Sequence, residues 1–324
     1  MIRRNARRWR DYAGIPVWAV VKADGYGWGA QRMVGLLDAG EDVEGFFVAD
    51  SDEAREIRLL TKKPIAILAA AAAGETVAQL EAGFLPNVAS LEALAAADRW
   101  ARGRGTDSTA RIRVGIVPAA GWSGLLEDAV GPFAEAAGRS QVEIELWTHL
   151  TAPELWAQQL ARFETALAKF RNSSANVIST DIASTAAAGE RRDGQSRVRI
   201  GIGLFGASLG GPELECAVRI DATVTDVLPS HAVSAAGYRS AQRIEAPWLA
   251  VVRCGYSDGL PTRLAGTNEI LSVGMQYAVL ARNSPERVGQ ALRLLDISSD
   301  LCMFLENTGI SPHEFVVGFR KNKT

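Results

Sequence analysis

The chain has 324 residues, of which 48% are apolar and 22% are charged, a balance typical of a globular protein with a sizeable core. Its 35 basic and 37 acidic side chains give a formal charge of -2, which excludes the strongly basic surface of a general nucleic-acid or anionic-membrane binder. Only three histidines and three widely spaced cysteines without a CxxC pair argue against a metal site and a disulfide framework, so we expect a reduced, cytoplasmic protein.

Eight short apolar runs alternate with segments of helical periodicity in the first two-thirds of the chain. These runs span residues 17–21, 45–49, 65–69, 85–88, 112–117, 142–147, 177–179 and 198–204. Segments between them, such as PELWAQQLARFETALAKF, place apolar residues three and four apart. Strands separated by helices form parallel βαβ units, and eight such units predict a TIM-like (β/α)8 barrel. An open, doubly wound sheet is the alternative, because closure cannot be read from sequence.

The last third of the chain has a different pattern. The segments CAVRIDATVTDVL, APWLAVVRCG, NEILSV and QYAVLA resemble strands separated by turn residues, and only residues 299–309 look helical. We therefore predict two domains, a barrel over residues 1–210 and a smaller, mostly β domain over residues 211–324.

The segment WAVVKADGYGWGA carries the first candidate for chemistry. Its apolar strand ends abruptly at Lys22, and three glycines follow. Active-site groups of a barrel lie at the carboxyl ends of its strands, and a lysine buried there must be paired, neutral or covalently occupied. On these residues alone, a lysine that simply reaches solvent is an equal alternative.

The segment GIGLFG, residues 201–206, formally matches the GxGxxG dinucleotide fingerprint. That fingerprint requires a helix immediately after the glycines, whereas Gly210, Gly211 and Pro212 follow here. A loop that binds a single phosphate fits this segment better than a nicotinamide-enzyme site.

Five segments, taken in order, resemble the barrel-type pyridoxal-phosphate enzymes of the alanine racemase family. VVKADGYGWG resembles the family's VVKAxAYGHG, and LWTHLTAPELWAQQLARF resembles its THF…RRQLARF. IASTAAA is similar to ANSAA, VRIGIGLFGASL to RPGIALYG, and WLAVVRCGYSDGLP to the GYADG strand. The resemblance extends over residues 2–260.

The resemblance implies a homodimer with shared active sites that binds pyridoxal 5'-phosphate covalently on Lys22 and acts on a small amino acid. The implied cofactor-binding residues are Lys22, Tyr26, His149, Thr185, Arg199, Gly201 and Ile202. Tyr26, Thr185 and the backbone of Gly201 and Ile202 would bind the phosphate. Arg199 would face the pyridine nitrogen, with His149 behind it.

Racemisation needs a base on each face of the substrate α-carbon. The resemblance implies Lys22 for one face and, for the other, a tyrosine of the partner subunit, for which Tyr238 lies at about the right position. Tyr256 matches the family's substrate-entry tyrosine. We therefore predict an amino-acid racemase, an isomerase, with Lys22 and Tyr238 as its catalytic residues.

Several family residues are replaced. The family's KVDTGMGRLG corresponds to GIVPAAGWSG, so Gly115 replaces a lysine and Trp122 replaces an arginine that orients the substrate carboxylate. His313 falls where the family has a phosphate-binding tyrosine. These exchanges leave the amino acid undetermined, with Trp122 and Tyr256 as the candidate substrate-binding residues. A non-catalytic pyridoxal-phosphate-binding protein and an aldolase-type enzyme on the same scaffold remain alternatives.

Overall fold

The computed structural model describes residues 1–105, 108–117, 124–190, 194–236, 244–267, 269–296, 301–306 and 308–319. Its first eight strands are parallel and lie in the order β7-β6-β5-β4-β3-β2-β1-β8. These strands are β1 Val17–Val20, β2 Gly45–Val48, β3 Ile65–Ala70, β4 Leu85–Asn87, β5 Ala110–Gly115, β6 Val142–Trp147, β7 Val177–Asp181 and β8 Val198–Ile200. Isolated parallel bridges Thr180↔Gln195 and Ala183↔Val198 bring the end of β7 and the residues after it against the start of β8 and the residues before it. The barrel is therefore nearly closed, and the predicted fold class is confirmed.

A helix precedes β1, and helices follow each of the strands β1 to β6. The described helices are α1 Ile2–Ala13, α2 Lys22–Tyr26, α3 Ala30–Asp38, α4 Ser51–Arg58, α5 Ala73–Glu81, α6 Leu91–Arg102, α7 Glu127–Ala137, α8 Trp156–Asn172, α9 Leu301–Leu305 and α10 Pro312–Gly318. Side-chain caps start three of them: the Asp50 carboxylate accepts from the backbone of α4, the Ser90 hydroxyl from that of α6 and the Ser311 hydroxyl from that of α10. Buried apolar side chains fill the layer between the strands and these helices.

The second part of the chain forms an antiparallel sheet with the order β11-β12-β10-β9-β13. Its strands are β9 Arg219–Pro229, β10 Trp248–Val252, β11 Ile270–Val273, β12 Ala278–Arg282 and β13 Ala291–Asp296. Helix α10 packs back against the barrel, where the Trp28 Nε1–H donates to the carbonyl of Val316 at 3.1 Å.

The basic N-terminal helix is ion-paired within the protein. Arg4 and Arg8 lie 2.5 and 3.1 Å from the Glu215 carboxylate. Arg7 and Arg10 lie 3.1 and 3.4 Å from that of Asp42. Four arginines of α1 thus have acidic partners inside the chain.

Three details differ from the sequence predictions. The run 198–204 is a strand only to Ile200, because the chain turns at Gly201 and forms a 3-10 turn over Ile202–Phe205. The helix expected over 299–309 is described only for Leu301–Leu305. Helix α10 was not predicted, although Ser311 caps it and Pro312 occupies its first turn. Within the described ranges, none of the helices is both long and apolar enough to cross a membrane.

Candidate active site

Lys22 follows β1 at the carboxyl end of the barrel and is half-buried. The residues after it wind left-handed, with φ of 55° at Ala23, 52° at Asp24 and 59° at Tyr26. L-residues pay roughly 1–2 kcal/mol each for this conformation, so surrounding contacts must hold it.

Two carboxylates hold this left-handed turn. Glu53 accepts from the backbone N–H of Ala23 and from that of Ala49, both at 2.7 Å. Asp24 Oδ1 accepts from the N–H of Ala30, also at 2.7 Å. The turn that carries Lys22 is therefore tied to the end of β2 and to the start of α3.

The turn brings the Tyr26 hydroxyl against the first residue after β8. Tyr26 is buried, and a Cβ added to Gly201 would lie 2.1 Å from Tyr26 Oη. The Gly201 N–H donates to Thr185 Oγ1 at 3.3 Å. Burial raises the pKa of Tyr26 well above its usual value, so its hydroxyl stays a neutral donor. Two hydroxyl groups thus meet the backbone at the start of the 3-10 turn, a donor set suited to a phosphate group.

Arg199 lies on β8, two residues before Gly201, and is buried. Its Nε donates to Asp181 Oδ1 at 2.9 Å, and its Nη2 donates to the Thr148 carbonyl at 2.5 Å. Two of its three nitrogens are thereby fixed, so the orientation of the guanidinium plane is fixed as well.

Both site histidines lie where cations act on them. Burial lowers the pKa of His149 most, and the positive charges of Arg199 and Lys22 lower it further, to about 3. Burial, and then Lys22, also lowers the pKa of His313. The His313 ring centre lies 6.2 Å from that of Tyr26. Lys22, Tyr26, His149, Arg199 and His313 therefore form one cluster, in which both histidines are neutral at neutral pH.

Of the predicted site residues not yet placed, Tyr256 alone lies within the described ranges. Tyr256 begins a 3-10 turn of the antiparallel sheet and its side chain is 47% exposed. Trp122 and Tyr238 lie outside the described residues. Gly115 ends β5. A Cβ added to Gly124 would lie 2.7 Å from the carbonyl oxygen of Gly115.

The family model for the N-terminal domain of alanine racemase matches residues 1–209. The chain belongs to the alanine racemase family. The alanine racemase of Beutenbergia cavernae is 30% identical over 86% of this chain and 78% of its own length. That of Methylobacterium sp. strain 4-46 is 29% identical over 89% of this chain and 81% of its own length.

Solved alanine racemases have the same fold. The enzyme of Enterococcus faecalis (E.faecalis) superimposes with a TM-score of 0.79 at 23% identity, covering 98% of this chain and 93% of its own. That of Bartonella henselae, solved with covalently bound pyridoxal phosphate, gives a TM-score of 0.80 at 20% identity, covering 99% and 95%. At these identities the likeness concerns the fold alone.

The residues of this chain fit pyridoxal phosphate by their own chemistry. The Tyr26 and Thr185 hydroxyls and the Gly201 backbone suit its phosphate, and the absent Cβ of Gly201 leaves the room that they share. Lys22 supplies an amine for the aldehyde of the cofactor, and Arg199 supplies a cation of fixed orientation in the same cluster.

Gly201→Ala is expected to weaken binding of pyridoxal phosphate about tenfold or more, because its Cβ would displace the Tyr26 hydroxyl from the phosphate donors. Titration of the apoprotein with the cofactor, followed by tryptophan fluorescence, measures the affinity. Gly131→Ala is the matched control, because nothing lies within 4 Å of its added Cβ. Equal affinity in the two variants would contradict a phosphate site at Gly201.

Sequence reasoning missed a set of charged side chains inside the barrel. These are Arg113 on β5, Glu145 on β6, Asp181 on β7 and Arg197 immediately before β8, all at most 3% exposed. They form ion pairs across the barrel interior: Arg113 with Asp181 at 2.9 Å and Arg197 with Glu145 at 2.8 Å. A signal was present, because ARIRVG, VEIELW and RVRI alternate charged and apolar residues with the period of a strand.

A groove of about 460 Å³ lies elsewhere, between the end of β5 and helices α7 and α8. Val130, Ala166 and Lys169 are among its lining residues, and the cluster around Lys22 contributes none of them. The candidate active site therefore rests on the convergence of titratable groups at the barrel rim.

Proposed function

We propose that this chain is a pyridoxal-phosphate-dependent amino-acid racemase that carries its cofactor on Lys22. The observation that carries the proposal is the placement of a phosphate donor set, Tyr26, Thr185 and Gly201, one left-handed turn from that lysine. The family and the fold support the same assignment.

The chain's own residues divide the binding task. The hydroxyls of Tyr26 and Thr185 and the backbone of Gly201 and Ile202 would hold the phosphate group. Arg199 would face the pyridine nitrogen, held in place through Asp181 and Thr148. His149, neutral because burial and neighbouring cations lower its pKa, would pack beside Arg199 without adding charge.

The cofactor, when bound, supplies an electron-withdrawing ring that makes the α-proton of an attached amino acid removable. The Lys22 Nζ would take that proton from one face of the α-carbon or return it there. A hydroxyl on the opposite face would do the converse, which makes the two-base exchange a racemisation.

Two tyrosines are candidates for the second base. Tyr238 is the sequence prediction. Tyr256 is the alternative that the structure suggests, because its side chain is 47% exposed while its backbone is fixed: its N–H donates to Gly274, and Asp258 accepts from Gly255. Either tyrosine would act in a homodimer, across the interface between the antiparallel domain of one subunit and the barrel of its partner. We propose the domain boundary at residues 210 and 211.

Alanine is the first substrate to test, because the relatives at 29% and 30% identity are alanine racemases. Gly115 and Trp122 replace two charged family residues at the substrate side of the site. We therefore propose that the substrate is a small amino acid, and α-proton exchange with a series of amino acids identifies its side chain.

The test is α-proton exchange of L- and D-amino acids in heavy water, with the loaded protein. We expect both alanine enantiomers, or both enantiomers of another small amino acid, to lose their α-proton signal in NMR spectra. Replacing the second base, by Tyr238→Phe or Tyr256→Phe, should abolish exchange of one enantiomer and keep exchange of the other on the Lys22 face. Whichever of the two tyrosines is not the second base provides the matched control, because its Phe variant should keep exchange of both enantiomers.

Exchange that yields no inverted product would favour the aldolase-type or binding-protein alternative. Protein that binds the cofactor but exchanges neither enantiomer of any amino acid would contradict the racemase proposal.

A further inference from the structure

Three buried charges form a bridge beneath the candidate active site. Asp181 accepts from Arg199 Nε through Oδ1 and from Arg113 Nη2 through Oδ2, both at 2.9 Å. Arg113 and Asp181 are fully buried, and Arg199 is 4% exposed. One carboxylate therefore serves two guanidinium groups, and the three side chains together carry one net positive charge.

Arg113 cannot turn away from Asp181 easily. Its guanidinium carbon lies 4.5 Å from the ring centre of Phe47 and 4.8 Å from that of Trp147. Its Nε lies 3.7 Å from Glu145 Oε2, too far for a hydrogen bond, and its Nη1 has no hydrogen-bond partner among the described residues. Burial lowers its pKa to about 10, which leaves the guanidinium charged at neutral pH.

The bridge matters because Arg199 reaches the cluster at the barrel rim. Its charge acts on His149, as do those of Lys22 and Asp181. If Asp181 belonged to Arg199 alone, the pair would be nearly neutral and would exert little field there. Because Arg113 shares the same carboxylate, the negative charge of Asp181 compensates the positive charge of Arg199 only in part.

We propose that Arg113 is a positioning residue that, by sharing Asp181, keeps Arg199 positively charged toward the bound cofactor. The inference rests on the proposed function, since it requires pyridoxal phosphate beside Arg199. It concerns Arg113 and Asp181, which are fully buried and whose side chains hydrogen-bond to each other and, through Asp181, to Arg199.

The test is a double-mutant cycle read by spectroscopy. The readout is the pH at which the visible absorbance band of the bound cofactor gives way to its near-ultraviolet form on deprotonation. Arg113→Met should raise this pH, because Asp181 then neutralises Arg199. Asp181→Asn should lower it, because both cations lose their counter-charge. Each shift is expected to be about one pH unit, the effect of one charge roughly 12 Å away at an effective dielectric of about 20.

Two further variants separate charge from folding. Arg113→Met leaves no carboxylate unpaired, because Glu145 keeps Arg197 and Arg111, so this variant is expected to fold. The double variant Arg113→Met/Asp181→Asn removes one charge of each sign and should return the transition close to its wild-type pH, even if Asp181→Asn alone fails to fold. Arg111→Met is the matched control, since Arg111 lies on the same strand and pairs only with Glu145 among the described carboxylates.

Opposite shifts in the two single variants, or an upward shift that the double variant reverses, support the inference. A shift of the same sign in both single variants, no shift in Arg113→Met, or an equal shift in Arg111→Met would overturn it. A wild-type protein that shows no visible band and traps no cofactor with borohydride would instead overturn the proposed function, and the inference with it.

Discussion

Lys22→Ala is expected to abolish covalent attachment of pyridoxal phosphate completely. Lys22 is the lysine that lies at the end of a barrel strand in the cluster with Tyr26, Arg199 and the two histidines. The measurement is borohydride reduction of the loaded protein, peptide mapping and mass spectrometry. In the wild type the reduced cofactor should be found on the peptide that contains Lys22, and in the variant on no peptide.

Lys169→Ala is the matched control, because Lys169 is exposed on α8 and lines the groove outside the barrel. It should label like the wild type. A second lysine, Lys63, donates to the carbonyls of Gly40 and Val43 at 2.7 Å, so its amine is already engaged. Cofactor recovered on Lys62, Lys63 or Lys169 in place of Lys22 would contradict the whole site assignment.

Gly259→Ala should destabilise the protein by about 2–4 kcal/mol, the sum of left-handed backbone strain and a steric clash. Gly259 has a φ of 98°, and its added Cβ would lie 1.8 Å from the carbonyl oxygen of Gly318 at the end of α10. Because α10 also carries His313, displacement of this helix should weaken cofactor binding too. The free energy of unfolding, from urea titration, measures the first effect and cofactor titration the second.

The matched control for this variant is Gly289→Ala. Gly289 has a similar φ of 86° in the same antiparallel domain, but nothing lies within 4 Å of its added Cβ. It should lose only about 1 kcal/mol and bind the cofactor normally. If both variants lost the same stability, the contact between Gly259 and α10 would not be important.

Local pattern was enough to predict the barrel strands, because each apolar run is short and bounded by turn residues. The run 142–147 coincides with β6, and six of the other seven agree with their strands to within two residues at either end. The exception is the run 198–204, VRIGIGL, whose apolar residues continue beyond the end of the strand at Ile200. Its backbone leaves the sheet at Gly201, where φ is -112° and ψ is -87°. Apolar composition cannot distinguish a strand from a buried 3-10 turn.

The alternation of charged and apolar residues was visible in the sequence, but the pairing of these charges could not be predicted, because it joins strands distant in sequence. Asp181 pairs with Arg113, which is 68 residues away, as well as with Arg199. Likewise, Trp28 stands in place of the histidine of the family's VVKAxAYGHG, and in the structure it hydrogen-bonds to Val316 of α10, 288 residues away. Local pattern singled out Lys22 and the glycine loop at 201–206, and the family resemblance added the other cofactor-binding residues. The structure brings Lys22, Tyr26, His149, Thr185, Arg199, Gly201 and Ile202 to one end of the barrel.

The left-handed turn after Lys22 sets stability against function. Ala23 is exposed and sits at a φ of 55°, where glycine would be less strained. A search for more heat-resistant variants would therefore reward glycine at this position. The same exchange would give the backbone next to Lys22 a wider range of conformations, so the position of the lysine amine would be less well defined. At this turn, a gain in thermal stability would therefore be accompanied by a loss of precision in the position of the lysine amine.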